Sequence, residues 1–119
     1  MLKKKRADYI LNKLNELYPE VPVPLKHNSQ FELLIAVLLS AQCTDERVNK
    51  ITPKLFKIGN TPEKIIKMSI SKIENIIRSC GLAPQKSSNI FHLSKIIIEK
   101  YNSRVPESFK DLESLPGVG

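Results

Sequence analysis

Residues 31–39 read Phe-Glu-Leu-Leu-Ile-Ala-Val-Leu-Leu, a run with one charged side chain and no polar face. Ser29-Gln30-Phe31-Glu32 fits a capping box at its start. The run therefore predicts a helix over about residues 30–41. A helix that is apolar on nearly all sides must be covered on all sides. The rest of the chain has to wrap around it, which constrains the fold more than any other feature.

The remaining segments have the one-sided pattern that such wrapping needs. Ala7, Ile10, Leu11, Leu14, Leu17 and Tyr18 form one stripe, followed by an extended connector at Pro19, Pro22 and Pro24. Thr44 or Asp45 caps a helix expected to turn Val48, Ile51, Leu55 and Ile58 inward, with Pro53 expected to kink or shorten it and Gly59 to stop it. Thr61-Pro62-Glu63 reads as cap, first-position proline and acidic first turn. Ser71-Lys72-Ile73-Glu74 suggests another capping box, with its helix ending near Cys80 and Gly81 following the end. A longer helix over about 85–101 carries Ile90, Leu93, Ile97 and Tyr101, and Ser108 opens a last short helix ending at Leu115. No strand alternation and no internal repeat stands out, so the expected fold is an all-α domain of six or seven helices.

The chain has 119 residues, 41% of them hydrophobic, enough for one domain with a real core. Lys and Arg number 19 against 12 Asp and Glu, a net charge of +7, spread along the chain apart from Lys3-Lys4-Lys5-Arg6. A basic balance favours a polyanionic partner, with nucleic acid ahead of an anionic membrane. The longest apolar run is too short to span a bilayer, and the N-terminus has no secretory apolar region. Two cysteines, Cys43 and Cys80, cannot build a disulfide framework, and a reducing, cytoplasmic setting is expected. The imidazoles, His27 and His92, lack ligand partners at metal-binding spacing, so no metal site is expected in this chain.

Three segments can carry function. The apolar helix ends abruptly in Ser40-Ala41-Gln42-Cys43-Thr44-Asp45. This is either a plain helix end and cap or a polar edge where the Gln42 amide, both donor and acceptor, meets a ligand such as a base edge. Gly81-Leu82-Ala83-Pro84-Gln85-Lys86 is a loop between helices. Leu82 there either closes a helix end or wedges between stacked bases, with Lys86 and the next helix N-terminus holding phosphate. Leu115-Pro116-Gly117-Val118-Gly119 is either a tail or a turn whose glycines bring bare N–H groups to an anion.

Phe31-Glu32-Leu33-Leu34-Ile35-Ala36-Val37-Leu38-Leu39-Ser40-Ala41-Gln42, followed by Thr44-Asp45 and Val48-Asn49-Lys50, resembles the bacterial endonuclease III family. So do Asn60-Thr61-Pro62, Gly81-Leu82 before Lys86, Val105-Pro106, and Leu115-Pro116-Gly117-Val118-Gly119. The resemblance runs from about residue 5 onward. It implies a helical bundle of the helix-hairpin-helix DNA glycosylase type, with residues 108–119 as the first helix and turn of the hairpin. It also implies removal of oxidised pyrimidines from double-stranded DNA, with lyase action at abasic sites, by a cytoplasmic, nucleoid-associated monomer. Gln42 and Leu82 would enter the duplex. Ser40, Thr44 and Asp45 would line the edge, and Leu115, Pro116, Gly117, Val118 and Gly119 would grip phosphate through main-chain amides. The family's Schiff-base lysine, its aspartate and its four-cysteine 4Fe-4S motif match nothing in residues 1–119. The chain is thus expected to be the N-terminal portion of an enzyme, truncated inside the hairpin and inactive alone. The alternative is a non-catalytic helix-hairpin-helix DNA-binding module. An adenine-removing relative is disfavoured by Ala41-Gln42-Cys43-Thr44-Asp45.

Overall fold

A computed structural model describes residues 29–41 and 43–118 of the chain. The expected stripe over 7–18, the proline connector, His27, Gln42 and Gly119 lie outside the described residues. The described residues form six helices: α1 Gln30–Ser40, α2 Asp45–Ile58, α3 Pro62–Ile66, α4 Ile70–Ile76, α5 Ala83–Tyr101 and α6 Phe109–Glu113. There is no strand among them, as the helical periodicity requires.

The apolar helix is the centre of the molecule. Every residue from Phe31 to Leu39 is buried, with Leu34, Ile35, Ala36 and Leu39 fully enclosed. Helices α2 and α5 pack on α1, α5 packs on α3 and α4, and α4 also meets α2. Ile90, Leu93 and Ile97 bury one face of α5, while Val48, Ile51 and Leu55 bury one face of α2. Burying side chains of this size from water stabilises by about 1.5–3 kcal/mol each.

Local polar chemistry sets where most helices start. The hydroxyl of Ser29 accepts from Glu32 N–H (3.1 Å), Thr61 from Lys64 (3.2 Å) and Ser108 from Asp111 (3.2 Å). Each satisfies one of the donors a helix start leaves open. Five expectations are corrected. Ser69, rather than Ser71, caps α4, accepting from Lys72 N–H. That helix closes at Ile76 instead of near Cys80, and the chain turns there, with Cys80 N–H donating to Ile77 O (2.8 Å). Helix α6 ends at Glu113, with Leu115 already in the following turn. Helix α2 runs through Pro53 to Ile58. Pro53 is on its exposed face, where water can solvate the carbonyl that the missing N–H leaves. Ile58, expected inside, is 42% exposed, since Gly59 and Met68 close the core beyond it.

Candidate nucleic-acid interface

The C-terminus of α1 is where the three candidate segments meet. Ser40 ends the helix and returns its hydroxyl to Val37 O (2.6 Å). The chain reverses through Ala41, and Cys43 N–H donates to Ser40 O (3.2 Å). Thr44 then caps α2, its hydroxyl accepting from Arg47 N–H (3.1 Å), and the half-buried Asp45 begins that helix at its positive end. The hydroxyls of Ser40 and Thr44 are thus engaged with backbone, and these residues shape the edge. Thr44→Ala is expected to lower stability by about 1 kcal/mol, read from the urea midpoint, while Thr44→Ser retains it. An unchanged midpoint in Thr44→Ala would leave that hydroxyl free for a ligand.

Lys86 holds this edge in place. It lies one turn into α5, is 4% exposed, and donates from Nζ to Leu39 O (3.1 Å) and to Ala41 O. Helix α1 has no basic residue in its own last turn. Lys86 supplies the missing cation from a neighbouring helix, against the negative end of the α1 dipole and its open carbonyls. This differs from the expected phosphate contact, because the ammonium points inward and is engaged by main-chain oxygens.

Leu82 sits one turn before Lys86, and its carbonyl accepts from Lys86 N–H (2.8 Å). Its backbone is left-handed (φ 61°, ψ 37°), and its side chain is 50% exposed. A leucine there costs about 1–2 kcal/mol relative to ordinary backbone. Leu82 is thus an exposed leucine held in a strained backbone conformation. Helix α4 ends at Ile76, well before Leu82.

The third segment docks on the same two helices. Leu115 and Val118 are buried, and Val118 N–H donates to Leu115 O (3.1 Å). Gly117 is left-handed (φ +82°), and a Cβ there would lie 2.9 Å from Leu38 Cδ1 on α1 and 2.9 Å from Asn89 Nδ2 on α5. Glycine is required here by conformation and by space at once. Buried Leu115 and Val118 anchor the turn, while Pro116 and Gly117 between them are partly exposed. Asn89, one turn beyond Lys86, is a contributor that the sequence reading missed. Its spacing from Lys86 along one helix face was the available signal.

Sequence reading also missed the meeting of the two cysteines. Cys43 Sγ lies 3.1 Å from Cys80 Sγ although 37 positions separate them. Burial, first, and the neighbouring Cys43 thiol push the Cys80 thiol up to about 12. No group of three or more His, Cys, Asp or Glu among the described residues could hold a metal ion. The cysteine pair therefore does not fit a cluster of four thiolates. No helix among the described residues is long and apolar enough to cross a membrane. A cavity of about 750 Å³, lined by Gln30, Glu32, Glu63, Arg104 and Glu107 among others, lies at the other end of α1, away from these segments.

Comparison with known proteins places this arrangement. Residues 35–117 match the HhH-GPD superfamily of base excision DNA repair proteins. The chain is similar to endonuclease III of Buchnera aphidicola subsp. Acyrthosiphon pisum (strain APS), with 50% identity over 100% of this chain and 56% of that protein. It is similar to endonuclease III of Haemophilus influenzae, with 46% identity over the same shares. Among solved structures, that of a trapped endonuclease III–DNA covalent intermediate matches with a TM-score of 0.80 and 44% identity, over 100% of this chain and 56% of that one. The chain thus spans about half the length of the relatives it matches.

Proposed function

The chain belongs to the HhH-GPD superfamily of base excision DNA repair proteins, and from that premise we propose that it supplies the duplex-reading edge of an endonuclease III-type glycosylase with abasic-site lyase activity. The substrate is double-stranded DNA carrying oxidised pyrimidines or abasic sites, met by a monomer in the cytoplasm at the nucleoid. The observation that carries this reading is Leu82, half exposed in a left-handed backbone beside the turn that follows α1. An apolar wedge inserted at a base step replaces the stacking lost when a nucleotide leaves the helix. Gln42, which lies outside the described residues, meets base edges with its amide in this reading. Ser40, Thr44 and Asp45 shape that turn. Residues 108–119 form the first half of the hairpin, whose main-chain amides, from Leu115 to Gly119, hold a phosphate.

The amine that attacks the sugar, its partner aspartate and the 4Fe-4S ligands belong, in this reading, to a part of the enzyme outside residues 1–119. Chain 1–119 then binds duplex in a salt-sensitive way but gives no borohydride-trapped complex on abasic DNA, whereas a chain continued over the length of its relatives does. Trapping by 1–119 itself would overturn the assignment of the chemistry to residues outside 1–119. Leu82→Ala keeps a Cβ, and with it the backbone strain. It should therefore leave Tm nearly unchanged while weakening binding to abasic duplex by about tenfold, the scale of a lost stacking contact. Unchanged binding with a large loss of Tm would mean that Leu82 serves packing alone.

A further inference from the structure

The contact between Cys43 and Cys80 bridges the two loops that carry the proposed duplex-entering residues. Cys43 is next to residue 42 in the turn after α1. Cys80 is two positions before Leu82 in the turn ahead of α5. Their sulfurs are 3.1 Å apart and both thiols are free. A disulfide bond of about 2.0 Å needs them to approach by roughly one ångström, within the reach of small rotamer and loop adjustments. Cys43 is partly exposed, whereas Cys80 is 3% exposed.

We infer that Cys43 and Cys80 form an oxidisable dithiol site that takes a hydroperoxide and closes to a disulfide joining the two loops. The partly exposed Cys43 sulfur attacks a peroxide oxygen, the O–O bond breaks, and the departing hydroxide leaves as water with the Cys43 proton. Cys43 becomes a sulfenic acid, and the peroxide is the electron acceptor. The Cys80 sulfur then attacks the Cys43 sulfur. The S–S bond forms, the S–O bond breaks, and hydroxide leaves as a second water with the Cys80 proton. The net change is two thiols and one hydroperoxide to one disulfide and two waters, or one water and an alcohol for an organic hydroperoxide. Burial sets this order: Cys80 stays a protonated thiol out of reach of the oxidant, and Cys43 beside it is accessible.

The consequence for DNA rests on the proposed function above. A bond between Cys43 and Cys80 restrains the loop that carries Leu82, which on that reading enters the duplex. Bridged protein is expected to bind abasic duplex on the order of tenfold more weakly, the scale that small misplacements of positioned groups reach.

The test treats the full chain with hydrogen peroxide, blocks free thiols and maps peptides. The expected product is a dithiothreitol-reversible link between the peptides holding Cys43 and Cys80, with the loss of two hydrogens from the intact mass. In Cys80→Ala the sulfenic acid at Cys43 persists and is captured by dimedone. The wild-type map needs no variant, so it decides the matter even where Cys80→Ala folds poorly. Recovery of Cys43 as free thiol or sulfinic acid, with no linked peptide, would overturn the site. If the link forms and bridged protein binds duplex as well as reduced protein, the consequence for DNA is overturned while the site stands. If neither form binds duplex in a salt-sensitive way, the functional proposal itself fails, and the peptide map still decides the dithiol.

Discussion

Replacing Lys86 by Met is expected to destabilise the protein by about 2–3 kcal/mol, a fall in Tm on the order of 10 °C. The side chain is 4% exposed and its ammonium donates to the carbonyls of Leu39 and Ala41. Hydrogen bonds from a charged donor contribute about 1.5–3 kcal/mol each, and their loss leaves main-chain acceptors at the end of α1 without that partner. Removing a buried cation also recovers desolvation energy, which keeps the net below the sum of the bonds. Lys86→Arg should not restore stability, because a planar guanidinium does not fit where a compact ammonium meets two carbonyls. On the proposed function, duplex binding should fall as well, since the turn before α2 loses its tether. The slope of log affinity against log salt decides how. An internal tether leaves the slope as in the wild type, whereas a phosphate contact reduces it by about one.

Gly117→Ala is expected to cost about 2–4 kcal/mol in urea unfolding. At φ +82° any Cβ is strained by about 1–2 kcal/mol. The added carbon also meets Leu38 Cδ1 and Asn89 Nδ2, both at 2.9 Å, and crowding of this kind costs about 1–3 kcal/mol. Leu38 is 2% exposed and has no room to retreat. Asn89→Ala in the same chain should therefore recover only part of the loss, because the backbone strain and the Leu38 contact remain. Full recovery in the double variant would place the whole cost on Asn89. On the proposed function, the displaced turn also loses its phosphate grip, and duplex affinity falls with a shallower salt slope.

Much of the fold was legible in order and type because it rests on local rules. The hydroxyls of Ser29, Thr61 and Ser108 cap the helices they were expected to open, and of the two candidates Thr44 and Asp45 it is Thr44 that caps α2. The boundaries that failed were decided by burial. Helix α4 stops at Ile76, where Ile77 turns into the core, and Ile58 is left exposed at the end of α2. Neither fact has a local signature. The candidate segments were legible as irregular polar or glycine-bearing interruptions between helices. Their internal chemistry was not. Lys86 read as a surface cation because lysine usually is one.

The sequence by itself determined that the helix at residues 30–40 is central, since no arrangement of water-facing surface suits a run without a polar face. It also determined the all-α architecture and the family pattern. Only the tertiary structure decided what α1 and α5 do to each other at one end. It turned Lys86 inward to the α1 carbonyls, set Gly117 against Leu38 and Asn89, and brought Cys43 to Cys80. These contacts join residues dozens of positions apart, and periodicity and capping act only over a few turns. Long-range partners are chosen by how the packed helices cross, which no single segment encodes.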